Sequence, residues 1–253
     1  MEYSKGYTES PSLKHYTPPL PIHAVLMAGG LGSRLGELTQ NLPKPLLKIG
    51  EKRIIDYLLL LLQKHHITDI NIAIRYLGHK IIHHLLQSPP PLSMHLRFIK
   101  ESQPLGTFGA ISLLEAVKFP YILVINSDLV TTINLTELFL QMKATGADMI
   151  IASATYPVEI PYGILKLEEG SIEKFVEKPT YSFEVNAGIY LFKREVLSLV
   201  PRNKFFDAPE FVDLLLAKGK KVHNFPIQGY WQDISQPDDY EIACQNIHML
   251  SFD

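Results

Sequence analysis

Apolar runs separated by polar breaks recur along this chain, and their spacing alternates between strand and helix. Ile22 to Ala28, apolar but for His23, reads as a buried strand. Arg53 to His65 places apolar residues at helical spacing. Asp69 to Arg75 alternates, with Ile70, Ile72 and Ile74 on one face. The same reading predicts a short helix over Lys80 to Gln87, ended by Ser88-Pro89-Pro90-Pro91, and a strand over Met94 to Lys100. A helix over Gly106 to Val117 precedes an apolar strand over Tyr121 to Asn126. A helix over Asn134 to Lys143 and a strand over Asp148 to Tyr156 follow. This alternation predicts an α/β fold with a mostly parallel sheet covered on both faces. Ligands of such sheets sit outside the carboxyl ends of the strands.

The second half has a different pattern. Gly163 to Glu168 and Ile172 to Glu177 read as a hairpin around Glu169-Gly170-Ser171, and Val185 to Lys193 as a further strand. Helices over Ala208 to Lys218 and Pro237 to Leu250 frame a strand over Lys221 to Ile227. Ser235 is placed to cap the last helix, with Pro237 in its first turn. Residues 1–21 are polar and end Tyr16-Thr17-Pro18-Pro19-Leu20-Pro21, which predicts an extended leader or linker. Residues 22–253 are expected to be one domain whose second half carries a substrate-binding lobe.

Composition narrows the classes. The 253 residues are 46% apolar and 20% charged, with a net charge of −2, which suits a globular chain with one sizeable core. Neither a basic stripe nor an aromatic platform is present to hold nucleic acid. The longest apolar run, Tyr57 to Leu62, is far below the ~20 residues that span a bilayer. The single Cys244 cannot build an intrachain disulfide framework, so a reducing, cytoplasmic location is expected.

The densest chemistry lies directly after the first strand, in Leu26-Met27-Ala28-Gly29-Gly30-Leu31-Gly32-Ser33-Arg34-Leu35, with Pro43-Lys44-Pro45-Leu46 downstream. Glycines let backbone N–H groups approach phosphate oxygens, and the two cations neutralise charge during phosphoryl transfer. The dinucleotide fingerprint fails, because Leu35 occupies its last glycine position. The phosphate loop fails too, because no Gly-Lys-Ser/Thr follows. Taken alone, the loop is equally a structural turn. His79, His83 and His84 share one helix, and His65-His66 form another pair, but no Cys or carboxylate completes a zinc set at recognisable spacing.

From Ile22 to about Ala243 the chain resembles the sugar-1-phosphate nucleotidyltransferases. The blocks that carry the resemblance stand in order: the loop, Pro43-Lys44-Pro45-Leu46, Glu101 to Thr107, Asn126-Ser127-Asp128, Tyr162-Gly163-Ile164, Glu177-Lys178-Pro179, Val185 to Tyr190, and Gly229 to Ile234. Ser33 stands where Thr is more usual, and Gly36-Glu37 where Arg-Pro is common. The resemblance implies a Rossmann-like, mixed but mostly parallel sheet of the GT-A type with a small sugar-binding lobe. It implies attack of a sugar-1-phosphate oxygen on the α-phosphorus of a nucleoside triphosphate, assisted by Mg²⁺. Arg34 and Lys44 would bind the triphosphate. Gly29, Gly30 and Gly32 would cradle phosphate. Met27, Ala28, Gly106 and Thr107 would line the nucleotide site. Asp128 and Asp233 would hold the metal. Gly163, Glu177, Lys178 and Asn186 would bind the sugar phosphate.

Glu101 would read the base. A carboxylate only accepts hydrogen bonds, and guanine offers paired donors at N1 and N2, which favours GTP. The blocks around Asn186 and Asp233 look most like guanylyltransferases that activate glucosamine or N-acetylglucosamine 1-phosphate for legionaminic-type acids. Mannose- and heptose-1-phosphate guanylyltransferases and UTP-using glucose-1-phosphate enzymes remain rivals. So does a non-catalytic nucleotide-sugar sensor on the same fold, although Arg34, Lys44, Asp128, Lys178 and Asp233 are all present. Assembly into a homo-oligomer is compatible with every one of these readings.

Overall fold

The computed structural model describes residues 19–90, 93–115 and 117–251. Residues 1–18 of the proline-rich leader, 91–92, 116 and 252–253 therefore lie outside the described residues. In chain order the elements are β1 (Ile22–Ala28), β2 (Lys48–Ile49), β3 (Lys52–Arg53), α1 (Ile54–Lys64), β4 (Asp69–Ile74), α2 (Gly78–Gln87), β5 (His95–Lys100), α3 (Gly106–Ile111), β6 (Tyr121–Asn126), β7 (Leu129–Thr131) and α4 (Leu135–Thr145). Then come β8 (Met149–Glu159), β9 (Ile164–Glu168), β10 (Ser171–Val176), β11 (Thr180–Lys193), α5 (Ala208–Ala217), β12 (Val222–Pro226), β13 (Trp231–Asp233) and α6 (Pro237–Asn246).

Seven strands form one sheet in the order β12-β8-β11-β6-β1-β4-β5. The pairs β12/β8, β6/β1, β1/β4 and β4/β5 are parallel, and only β11 runs antiparallel to both neighbours. The expected mostly parallel, doubly covered sheet is therefore present. Alternate residues of the central strands feed opposite cores. Leu26, Ile72 and Ile125 pack into one core with α1, α2 and α4. Val25, Val124 and Tyr190 pack into the other with Phe108 and Phe211. Strands buried on both faces in this way need the nearly continuous apolar runs seen in the sequence.

Several boundaries differ from expectation. Helix α3 ends at Ile111 rather than near Val117. Ser112 closes it by donating from Oγ to the Gly109 carbonyl at 2.6 Å. Ser235 does not cap α6. Gln236 occupies that position, with Asp239 Oδ2 accepting from its N–H at 2.8 Å. Strands β8 and β11 run further out than expected, to Glu159 and from Thr180. Beyond the body of the sheet they form a two-stranded arm, and the β9/β10 hairpin sits at its tip.

Candidate active site

Three parallel strands bring the predicted residues together at their carboxyl ends. Met27 of β1 lies opposite Asn126 of β6, and Ala28 lies opposite Ile74 of β4. The chain therefore leaves the sheet side by side at Gly29, Arg75 and Ser127. Ser127 ties two of these exits together, with Oγ donating to the Met27 carbonyl at 2.5 Å.

After β1 the glycines differ in what holds them. Gly32 has φ +67, and an added Cβ would press on Thr39 at 3.1 Å. It starts a 3₁₀ turn over Ser33–Thr39, and the Thr39 hydroxyl donates to its carbonyl at 2.9 Å. Gly30 is different. A Cβ there would meet nothing within 4 Å, so the fold itself does not require glycine at this position. The bare backbone faces open space, the condition for close approach of a phosphate.

Lys44 is buried in a short 3₁₀ turn between Pro43 and Pro45. Its Nζ donates to Asp128 Oδ2 at 2.6 Å and lies 3.8 Å from Asp233 Oδ1. The two carboxylates come from distant segments, and a small sheet explains their meeting. Strand β13 pairs antiparallel with β7, setting Asp233 opposite Leu129, and the Ile234 N–H donates to the Asp128 carbonyl at 2.9 Å. Ser235 Oγ donates to Asp233 Oδ2 at 2.6 Å. Burial and the charge of Asp128 push the Asp233 carboxyl above the usual range, while Ser235 and Lys44 pull it back. Asp128 Oδ1 and Asp233 Oδ1 are both buried without a hydrogen-bond partner among the described residues. Buried carboxylate oxygens left unpaired are costly. The pair therefore fits a hard divalent cation that takes two protein carboxylates and completes its shell from phosphate and water.

Two clefts meet at this centre. The first, about 320 Å³, is lined by Gly30, Gly32, Arg34, Lys44, Arg75 and Asp128 among others. The second, about 310 Å³, includes Gly29, Arg75, Glu101, Thr107, Asp128 and Phe205. Both are of ordinary small-molecule size. Arg34 and Arg75 both line the first cleft, and Arg75 acts electrostatically on Glu101 across the second. Glu101 reaches over Gly29, where an added Cβ would come within 2.5 Å of Oε1. Burial raises the Glu101 carboxyl, while the Leu105 N–H at 3.4 Å and Arg75 lower it. Gly106 has φ +72 and passes close to the Phe206 carbonyl. The Thr107 N–H is spent on Asp207 Oδ1 at 3.2 Å, so Thr107 lines the cleft with its backbone donor already used.

The residues expected to bind the sugar phosphate sit on the arm or at its base. Gly163 packs under Phe175 and beside Glu177, whose Oε2 would lie 2.8 Å from an added Cβ. Lys178 has φ +39, a left-handed conformation that a lysine rarely adopts. Asn186 is drawn inward: Nδ2 donates to the Tyr190 hydroxyl at 2.7 Å and Oδ1 accepts from the Gly188 N–H at 3.0 Å. Trp231 Nε1 donates to the Ala187 carbonyl at 3.0 Å, linking this bulge to the strand that carries Asp233. Gly163, Glu177, Lys178 and Asn186 line neither of the two clefts.

With this geometry in view, comparison with known proteins is informative. The sequence profile of the Nucleotidyl transferase family matches residues 23–249. The chain belongs to this family. A mannose-1-phosphate guanyltransferase of Schizosaccharomyces pombe is 32% identical over 227 residues, covering 86% of this chain and 62% of that protein. The chain thus spans about three fifths of the length of the curated relatives it matches. The crystal structure of HddC from Yersinia pseudotuberculosis aligns over 89% of this chain and 99% of its own, with TM-score 0.70 and 26% identity. HddC complexed with GMP-PN aligns over the same shares, with TM-score 0.68 and 27% identity.

Sequence reasoning missed Arg75, Ser127, Phe205 and Ser235, all of which line the clefts. A lone arginine after a strand has no motif, and only its register beside Gly29 gives it away. Two histidines from the discarded zinc reading are tied into the fold. His65 Nε2 accepts from the Leu135 N–H at 3.3 Å, and His84 Nε2 lies 2.7 Å from Asp56 Oδ1. Among the described residues, no group of three His, Cys, Asp or Glu could hold a metal ion, and no helix is long and apolar enough to cross a membrane.

Proposed function

We propose that this chain transfers a guanylyl group from GTP to a hexose 1-phosphate, releasing pyrophosphate. One observation carries the reading: Lys44 lies between Asp128 and Asp233 and lines a cleft that also holds Gly30, Arg34 and Arg75. Two polyanions must meet for this reaction, so cations and amide donors do most of the work. A sugar-phosphate oxygen forms a bond to the α-phosphorus, and the bond to the β-phosphate oxygen breaks. The nucleophile is already an anion, and no side chain need remove a proton from it.

In this reading Arg34 and Lys44 hold the β- and γ-phosphates and stabilise the charge that leaves with pyrophosphate. Gly29, Gly30 and Gly32, with Met27 and Ala28, let the nucleotide lie against the backbone. Asp128 and Asp233 would hold Mg²⁺, which when bound neutralises phosphate charge and orients the oxygens. Glu101 accepts from guanine N1–H and N2–H₂. Arg75, between the clefts, adds a third cation. On the arm, Lys178 pairs with the sugar phosphate as a point charge, and Gly163, Glu177 and Asn186 face the sugar.

The names of the relatives favour mannose 1-phosphate, and HddC was captured with a guanine nucleotide. Glucosamine and N-acetylglucosamine 1-phosphates stay in the test, because the blocks around Asn186 and Asp233 suggested them. The test is a pyrophosphate-release matrix of four nucleoside triphosphates against mannose-, glucosamine-, N-acetylglucosamine-, glucose- and heptose-1-phosphates. GTP is expected to lead UTP by about tenfold or more in kcat/KM, the discrimination of one well-made base contact. Equal use of UTP would overturn the base assignment, and no turnover with any pair would overturn the reaction.

A further inference from the structure

The amino end of the sheet, opposite the rim, has a polar floor on one face. Parallel register sets His23 of β1, Asp69 of β4 and His95 of β5 side by side. One pleat further along, Asn71 lies beside Arg97. Alternate residues of a strand share a face, so these five side chains lie on the face of Val25, Ala73 and Ile99, which belong to the core around Phe108. On the opposite face of the same strands, Ala24, Ile70, Ile72, Leu96 and Phe98 are all apolar. The polar change is confined to one face at one end.

Exposure at the sheet edge accounts for His95 and Arg97. It does not account for His23 and Asn71, which are 5% and 9% exposed, with His23 Nε2 at 2.8 Å from Asn71 Oδ1. Burial lowers the His23 pKa, so the ring is neutral at neutral pH. Two apolar side chains would fill these strand positions without the cost of burying polar groups. Both residues line a cleft of about 870 Å³, larger than either cleft at the rim and within the ~300–1,000 Å³ of small-molecule sites. Leu113 and Phe119 give this cleft an apolar wall. Its lining carries three cations, Arg97, Lys100 and Lys118, against two carboxylates, Asp69 and Glu115. Arg97 Nη1 donates to Asp69 Oδ1 at 3.1 Å, which uses one of several guanidinium donors.

We propose that this cleft is a second small-molecule site, which takes a phosphate ester bearing sugar hydroxyls. A neutral imidazole, a carboxamide and a carboxylate are donors and acceptors suited to hydroxyl groups. His23, Asn71 and Asp69 therefore meet the hydroxyls, while Arg97 and Lys118 meet the phosphate. Sugar phosphates and nucleotides share this chemistry. The site is distinct from the rim, because His23 and Met27 stand near opposite ends of β1, roughly 13 Å apart at ~3.3 Å per residue. Binding there requires no turnover at the rim.

The test is hydrogen exchange on the full chain with mannose 1-phosphate, GDP or inorganic phosphate, each alone at millimolar concentration. At least one of the two esters should slow exchange at residues 95–100 and 117–119, separately from any change at residues 29–34. Protection by mannose 1-phosphate alone assigns the site to free sugar phosphates, and protection by GDP alone assigns it to nucleotides. Arg97→Glu and Lys118→Glu, both at exposed positions, should each raise the ester concentration needed for that protection by about tenfold or more. Any protection at residues 29–34 should be unchanged. Unaltered exchange at residues 95–100 and 117–119 with both esters would overturn the proposal. So would protection that survives both charge reversals, or protection that inorganic phosphate gives equally well, since a bare anion needs no hydroxyl partners. Should Arg97→Glu fail to fold, Lys118→Glu decides alone.

Discussion

The rim of the sheet and the arm beside it solve opposite problems. At the rim, Asp128, Lys44 and Ser127 are held by buried parallel strands, paired turns and a small auxiliary sheet. The arm has one ladder between β8 and β11 and a hairpin beyond it, with most of its side chains in solvent. Nucleotide chemistry needs charges fixed before the substrate arrives, because reorganising them costs free energy during the reaction. The sugar recognition proposed for the arm would tolerate a less buried support. Substitutions at the rim should therefore remove chemistry without harm to the fold, and substitutions on the arm should weaken one substrate alone.

Asp128→Asn should produce the largest effect. Lost charge at the carboxylate pair should lower Mg²⁺-dependent pyrophosphate release by ~10²-fold or more, the several kcal/mol such a centre supplies. The melting temperature should change little. Full activity would remove Asp128 from the reacting centre.

Gly30→Ala comes next. A Cβ there meets nothing in the fold, so the melting temperature should hold or rise slightly, while kcat/KM for GTP falls by ~10-fold or more through misplaced phosphate. Gly106→Ala supplies the contrast. Its φ of +72 and the Phe206 carbonyl 2.9 Å from an added Cβ predict a loss of stability of ~1–3 kcal/mol. If both variants melt alike, the division between ligand-driven and fold-driven glycines is wrong.

On the arm, Lys178→Ala should raise the KM for the sugar phosphate by ~10-fold, the value of one charge-assisted contact, and leave that for GTP unchanged. An effect on GTP alone would put Lys178 in the wrong half of the site.

A further effect concerns stability rather than catalysis. Burial lowers the His65 pKa from 6.5 to about 4. Its Nε2 accepts the Leu135 N–H, so the folded ring is neutral and joins the end of α1 to the start of α4. The unfolded chain takes up a proton below pH 6.5 that the fold refuses. Stability should therefore fall as pH drops from 6.5 toward 4, by at most ~3 kcal/mol. His65→Gln should flatten this slope in denaturant titrations, and an unchanged slope would assign the acid sensitivity elsewhere.

Buried strands were legible because a strand covered on both faces is nearly all apolar, as in Ile22 to Ala28, broken only by His23, and Tyr121 to Ile125. The outer ends of β8 and β11 were not, because Pro157 to Glu159 and Thr180 to Glu184 lie in solvent beyond the core. The 3₁₀ turn after the glycine loop was hidden by Gly32 and Gly36, both at positive φ. Arg34, Lys44, Asp128 and Glu101 could be picked from motifs, and the structure gathers them around two adjoining clefts. Arg75 could not, since its place depends on the register of β4 against β1.

The most direct test of the account is the affinity of Mg²⁺-GTP for Arg34→Ala. Arg34 is exposed, so its removal leaves the fold untouched. Calorimetric titration should show binding about tenfold weaker or more, as expected for one lost charge-assisted phosphate contact, with an unaltered melting curve in the absence of nucleotide. Equal affinity in the variant and the wild type would contradict a triphosphate site at this rim.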